Sequence, residues 1–254
     1  MLNYDLHTHS TYSDGKGSLK DNIHAAEAMG LSHIALTDHL WVDKRNWVDE
    51  ALEELKNQPP VGYQVKILKG AEAKLLNSNG RISIDESAAK KLDIVLCDMG
   101  WSSLGFSDEE PPVSRDQIFE RITECFINLC QNPLVDVIAH PLNFGRHTKI
   151  VISPAEIPVD CLLKISEAFV SQNTAFEVMN NMWWWHPLMN PREFTDKYIK
   201  IVKFFAERGV SFTIGSDAHG IGGVGNLGWS NHVLAEADVP PDQIINPDIY
   251  LPQK

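Results

Sequence analysis

Residues 4–15 read Tyr4-Asp5-Leu6-His7-Thr8-His9-Ser10-Thr11-Tyr12-Ser13-Asp14-Gly15. The first part has the length and apolar character of a strand, and it runs directly into two histidines and then the turn signal Asp14-Gly15. The same grammar recurs along the chain: strand-length apolar runs at 4–7, 33–36, 65–69, 94–97, 135–139, 175–178 and 211–214 alternate with stretches of helical periodicity. The clearest helix opens at Ser114, with Gln117 completing a capping box, and places Ile118, Ile122, Cys125, Phe126 and Leu129 on one stripe. Another runs from about Pro191 to Arg208, turns Phe194, Tyr198, Ile201, Val202 and Phe205 inward, and stops at Gly209. Strands alternating with helices predict a parallel sheet covered by helices. Seven such units without a linker predict a closed or nearly closed (β/α)7 barrel, one α/β domain over residues 1–254, with an open doubly wound sheet as the alternative.

The chain's 254 residues are ample for a core, and its 43% hydrophobic and 22% charged fractions are ordinary for a globular protein. A net charge of −12 repels phosphate backbones and argues against a long nucleic acid or an anionic membrane as partner. No apolar run approaches the ~18 residues needed to cross a bilayer, and the N-terminus passes at once into a strand, so neither a membrane span nor a signal peptide is expected. Cys97, Cys125, Cys130 and Cys161 form no C-x-x-C pair and read as reduced thiols. A cytoplasmic location is the resulting expectation.

In such a barrel the loops after the strands build the site. Chemically capable residues collect there: His7 and His9 after the first run, Asp14 beyond them, and His39 after the second. Glu72 follows the third, His140 the fifth, Glu177 and Asn180 the sixth, and Asp217 and His219 the seventh. Two histidines two apart at a strand end share a face, and imidazole with carboxylate suits Zn, Mn or Fe. The eight candidates His7, His9, Asp14, His39, Glu72, His140, Asp217 and His219 are too many for one tetrahedral ion, so two or three divalent metals are implied. A bridged cluster would supply a hydroxide nucleophile at neutral pH, and that chemistry fits hydrolysis of a phosphate ester.

The motifs HTHSTYSDG (7–15), TDH (37–39), GAE (70–72), AHP (139–141) and GSDAH (215–219), in this order, resemble the PHP superfamily of polymerase-associated and histidinol-phosphatase domains. The resemblance implies a distorted (β/α)7 barrel with a trinuclear site and an activity like that of stand-alone histidinol-phosphate phosphatases. Carried over by position, it implies one metal on His7, His9, Glu72 and Asp217, a second shared by Glu72 and His140, and a third on Asp14, His39 and His219. One departure stands out: Gly100 occupies the place of the family's usual histidine after the fourth strand, and Asp98 is the candidate replacement ligand.

On the substrate side, Arg146, His147 and Lys149 follow His140, and Arg146 is the candidate phosphate contact. His219 or Asp14 could deliver a proton to the leaving alcohol. The glycine-rich stretch 220–228 could offer backbone N–H groups to an anion, and of Trp183, Trp184 and Trp185 at least one should be exposed near the rim. The expected function is hydrolysis of a small phosphate monoester. The alternatives are a phosphodiesterase or 3′ exonuclease activity, and a catalytically weakened metal-binding barrel.

Overall fold

The computed structural model describes residues 1–42, 47–57, 64–99, 114–143 and 151–252. Its strands are β1 (Tyr4–Asp5), β2 (His33–Leu36), β3 (His39–Leu40), β4 (Lys66–Lys74), β5 (Ile94–Asp98), β6 (Val137–Ala139), β7 (Ala175–Met179) and β8 (Ser211–Gly215). Among the described residues the helices are α1 (Leu19–Ala28), α2 (Val48–Asn57), α3 (Glu86–Ala89), α4 (Arg115–Cys130), α5 (Val159–Gln172), α6 (Pro191–Ala206) and α7 (Gly228–Glu236). All pairings between these strands are parallel, and neighbours run β1-β2-β4-β5-β6-β7-β8. Hydrogen bonds from the Leu6 amide to the Ile214 carbonyl (3.2 Å) and from the Asp217 amide to the His7 carbonyl (2.9 Å) bring β8 back to β1 and nearly close the barrel.

The seven expected runs are the seven strands of this path. The eighth, β3, is the continuation of β2 across a break at Thr37-Asp38, and it keeps the β2 register on β4: Leu36 faces Lys69 and His39 faces Glu72. At the break the Thr37 amide donates to the Thr8 carbonyl instead. The run expected at 65–69 extends to Lys74, because Gly70 and Ala71 let β4 continue between crowded neighbours. A Cβ at Gly70 would lie 2.8 Å from Thr37 Cγ2 and 2.9 Å from Ile94 Cγ2.

Alternation along the strands sorts the side chains. In β7, Phe176 turns outward beneath the helices and meets Phe169 of α5 at 5.6 Å between ring centroids, Phe205 of α6 at 5.3 Å and Phe212 of β8 at 5.7 Å. Its neighbour Glu177 is thereby directed into the barrel mouth. The capping box of Ser114 and Gln117 and the inward stripe on α4 form as read from the sequence, as does α6. At the opposite end, the C-terminal segment covers the strand starts: the Ile245 amide donates to the Phe212 carbonyl at 2.9 Å, and Asp248 accepts from His33 Nε2 at 3.0 Å. The four cysteines are free, and among the described residues no helix is long and apolar enough to cross a membrane.

Candidate metal centre

The strand ends bring all eight candidates into one cluster. Among the described residues, three overlapping groups could each hold an ion: His9 with Asp14, His39 and His219; His7 with His9 and Asp217; and His7 with Glu72 and His140. Donors bound about 2.0–2.2 Å from one ion at tetrahedral angles stand about 3.4 Å apart. The observed separations lie around that value: His7 Nε2 to Glu72 Oε2 is 3.2 Å, His9 Nε2 to Asp217 Oδ1 is 3.0 Å, His140 Nε2 to Glu72 Oε1 is 3.1 Å, and His219 Nε2 to Asp14 Oδ1 is 3.3 Å.

Both carboxylate oxygens of buried Glu72, both ring nitrogens of His9 and Nε2 of His7 lack a hydrogen bond of proper geometry. Leaving buried charged acceptors without donors costs about 1–3 kcal/mol each or more. Divalent cations at these positions would take up the Glu72 oxygens, His7 Nε2 and one ring nitrogen of His9, so the donor set fits metal.

The sequence placed Glu177 on the rim without a role; the structure supplies one. Its Oε1 accepts from His7 Nδ1 at 2.9 Å and its Oε2 from the His140 amide at 2.6 Å. This fixes the His7 tautomer and aims Nε2 at Glu72 and Asp217. The arrangement requires Gly215, where a Cβ would lie 2.3 Å from Glu177 Oε1 and 2.4 Å from His7 Cβ. Asp38 plays the matching part for the first loop, accepting from the Ser10 amide (2.7 Å) and from the Ser13 amide (3.1 Å) and hydroxyl (2.6 Å), which holds the turn that carries Asp14. Glu177 lies inside the apolar strand β7 and Asp38 just beyond β2, so both stand out in the sequence as acids in apolar surroundings, although their partners do not.

Two of the cluster's residues carry backbone strain: His140 sits at φ 27° and Asp217 at φ 53°, in the left-handed region. Such residues persist where the surroundings over-determine them, commonly at functional sites. Asp98 stands on the other side of the His140 ring, with Oδ1 3.7 Å from Nδ1, while Nε2 faces Glu72. Gly100 and the 144–150 segment with Arg146, His147 and Lys149 lie outside the described residues.

The cluster's electrostatics are strongly coupled. Burial disfavours the charged form of His140, but Glu72, Asp98 and Asp217 overrule it and raise its pKa to about 9. His219 likewise reaches about 9 against burial, through Asp14 and Asp217. At His9 burial prevails and the imidazole is shifted down. Asp14 falls to about 2, because His219, His39 and His9 outweigh its burial.

Of the tryptophans, Trp184 is 73% exposed while Trp183 and Trp185 are half-buried. Trp185 lies 5.6 Å from the His140 ring between centroids. His186 is structural: it is buried and spans the Leu142 carbonyl at 3.1 Å and the Ile152 carbonyl at 3.4 Å.

Fold and cluster together define a parallel α/β barrel with a candidate multinuclear metal centre at the C-terminal rim. The PHP domain model matches residues 5–181, and the chain belongs to the PHP domain family. Over 257 residues the chain is 30% identical to a probable phosphatase of Caldanaerobacter subterraneus subsp. tengcongensis, covering 98% of this chain and 91% of that one. It is 29% identical over 255 residues to a probable phosphatase of Proteus mirabilis, covering 97% and 90%. In fold it is similar to the histidinol phosphate phosphatase of Lactococcus lactis subsp. lactis, solved with zinc, L-histidinol and phosphate, with a TM-score of 0.67 at 17% identity over 94% of this chain and 95% of that one. A Listeria monocytogenes protein solved as the "putative histidinol phosphatase hisK" matches with a TM-score of 0.61 at 14% identity, over 90% and 99%.

Proposed function

We propose that the chain is a metal-dependent phosphatase acting on small phosphate monoesters. The observation that carries this reading is the buried carboxylate of Glu72, whose oxygens make no hydrogen bond of proper geometry, encircled by His7, His9, His39 and His140 within 2.9–3.4 Å of their nitrogens. His7, His9, Asp14, His39, Glu72, His140, Asp217 and His219 would hold two or three ions, Zn, Mn or Fe, with Glu72 shared between them. When bound, divalent metals supply positive charge to the phosphoryl oxygens and lower the pKa of water toward about 7.

The chain's own residues do the rest. Glu177 orients His7 through Nδ1. His140 turns Nε2 to Glu72 and Nδ1 toward Asp98, so Asp98 supports the His140 ring at least as well as it would serve as a ligand. His219, with its side chain 39% exposed, is the most accessible histidine of the cluster and the candidate to pass a proton to the leaving alcohol, with the still more exposed Asp14 beside it. The net charge of −12 favours a small monoester over a polynucleotide. Solution in the cytoplasm and a single barrel domain over 1–254 complete the reading.

The deciding experiment is release of inorganic phosphate from a monoester panel after chelator treatment and re-addition of Mn or Zn. Activity that disappears with chelator and returns with metal is expected; inactivity on every member with every metal would sink the reading.

Two further outcomes follow from the geometry. Glu177→Gln keeps the shape but weakens the hold on His7, so metal affinity should drop about 10–100-fold, read by competition with a chromophoric chelator. Unchanged affinity would show that Glu177 does not orient the ligand. Metal uptake should also release protons. A nitrogen bound to metal carries no proton there, whereas metal-free His140 and His219 keep theirs up to about pH 9. Apparent affinity therefore climbs as pH rises toward 9 and falls in acid, and calorimetric binding heats at pH 7.5 should depend on the buffer's ionisation enthalpy. Heats independent of buffer would contradict the assignment of these histidines.

A further inference from the structure

Beside the cluster, a cavity of about 440 Å³ is lined by Met179, Asn181, Trp184, Trp185, Asp217 and His219, among others. Two of these belong to the candidate metal centre, so a phosphoryl group placed over the cluster has this cavity as its immediate neighbour. Asp217 supplies the charge at the cavity's inner end. No lysine or arginine stands among the described residues that line it.

Its outer wall is unusual. Asn181 takes a left-handed φ of 61° and opens the short turn Met182–Trp185; the Trp184 amide donates to the Asn181 carbonyl at 2.9 Å. Met182 goes into the core as the anchor, and Trp184 is left 73% exposed. The Trp183 ring lies 6.4 Å from it between centroids and tilted by 40°, so the indole is not stacked on its neighbour. Exposing an indole forfeits burial of a large apolar surface, and this one borders a cavity next to the cluster, where an apolar part of a ligand can supply the missing contact. A cavity of this size takes a small organic group, and an aromatic wall recognises it best when it offers a flat π face.

We propose that this cavity binds the leaving alcohol of the substrate and that Trp184 selects monoesters whose alcohol carries an uncharged aromatic ring. The inference rests on the phosphatase reading above. The phosphoryl end lies over the metal cluster, the ring lies against the Trp184 indole, and the ester oxygen falls between them, within the region of His219. Trp184 is a specificity-determining residue that touches the departing group; it is remote from phosphorus.

The test compares 2-phenylethyl phosphate with 2-cyclohexylethyl phosphate on the metal-loaded enzyme. The two alcohols ionise alike and the cyclohexyl ester is the more apolar of the two, so a preference for the phenyl ester reports the π face rather than hydrophobic burial. The wild type is expected to favour the phenyl ester about fivefold or more, mainly through KM. The preference should vanish in Trp184→Leu and persist in Trp184→Phe; because the side chain is on the surface, neither change disturbs the core. Equal kcat/KM for both esters in the wild type, or an undiminished preference in Trp184→Leu, would overturn the inference and leave the phosphatase reading intact. Absence of phosphate release from both esters and from p-nitrophenyl phosphate would overturn the two together.

Discussion

Asp217→Ala is expected to reduce phosphate release by about a thousandfold or more, the scale lost when a group essential to transition-state charge stabilisation is removed. The reason is position. Asp217 Oδ1 lies 3.0 Å from His9 Nε2 and 3.6 Å from both His7 Nε2 and His219 Nδ1, so one carboxylate links the first loop to the last. Its own pKa is driven well below the usual range, since His7, His9 and His140 together overcome its burial. Alanine at this position removes the negative charge that lets imidazoles and cations share the space, and leaves a cluster short of one donor. The fold should survive, because Asp217 lies beyond the end of β8 and the hydrogen bond it donates to the His7 carbonyl comes from its backbone N–H, which alanine keeps. Circular dichroism should match the wild type while metal content per chain falls by at least one ion. Retained full activity would remove Asp217 from the site.

The largest stability effect is expected from Phe176→Ala. The ring is fully buried and touches aromatic rings of α5, α6 and β8, including Tyr198 at 6.5 Å between centroids. Truncating a phenylalanine in such a setting costs about 3–5 kcal/mol through lost transfer energy and the cavity left behind. For a chain of this size that corresponds to a drop in Tm of roughly 6–20 °C. Phe176 also fixes the strand that presents Glu177 on its other face, so the loss of packing and a lowered metal affinity should appear together. A Tm within about 2 °C of the wild type would mean that the aromatic cluster is not the keystone of this side of the barrel.

Most of the barrel was legible from the chain because long-period alternation leaves clear marks. Buried parallel strands show as continuous apolar runs, and amphipathic helices such as α4 and α6 show as stripes between caps. What escaped was short or non-local. A two-residue strand such as β3 has no period to detect, and only its register on β4 reveals it as β2 resumed after a break. The lengthening of β4 through Gly70 depends on how close Thr37 and Ile94 come.

The site was legible for a related reason. Histidines and carboxylates at strand ends are conspicuous against apolar strands, and all eight converge. Their supporting residues were not, because the role of Glu177 is set by His7, 170 positions away, and that of Asp38 by Ser10 and Ser13. The family resemblance makes Asp98 the candidate ligand in place of a histidine, whereas its distance to His140 Nδ1 makes a supporting role equally available. The three tryptophans divided as steric crowding requires, and the exposed one proved to line the cavity.

The central claim is that this rim holds metal. Anomalous diffraction at the Zn and Mn edges, on crystals of metal-loaded protein, tests it most directly. Two or three ions are expected, all within the cluster formed by His7, His9, Asp14, His39, Glu72, His140, Asp217 and His219, with Glu72 between two of them. No ion within this cluster, or ions bound only elsewhere on the chain, would contradict it.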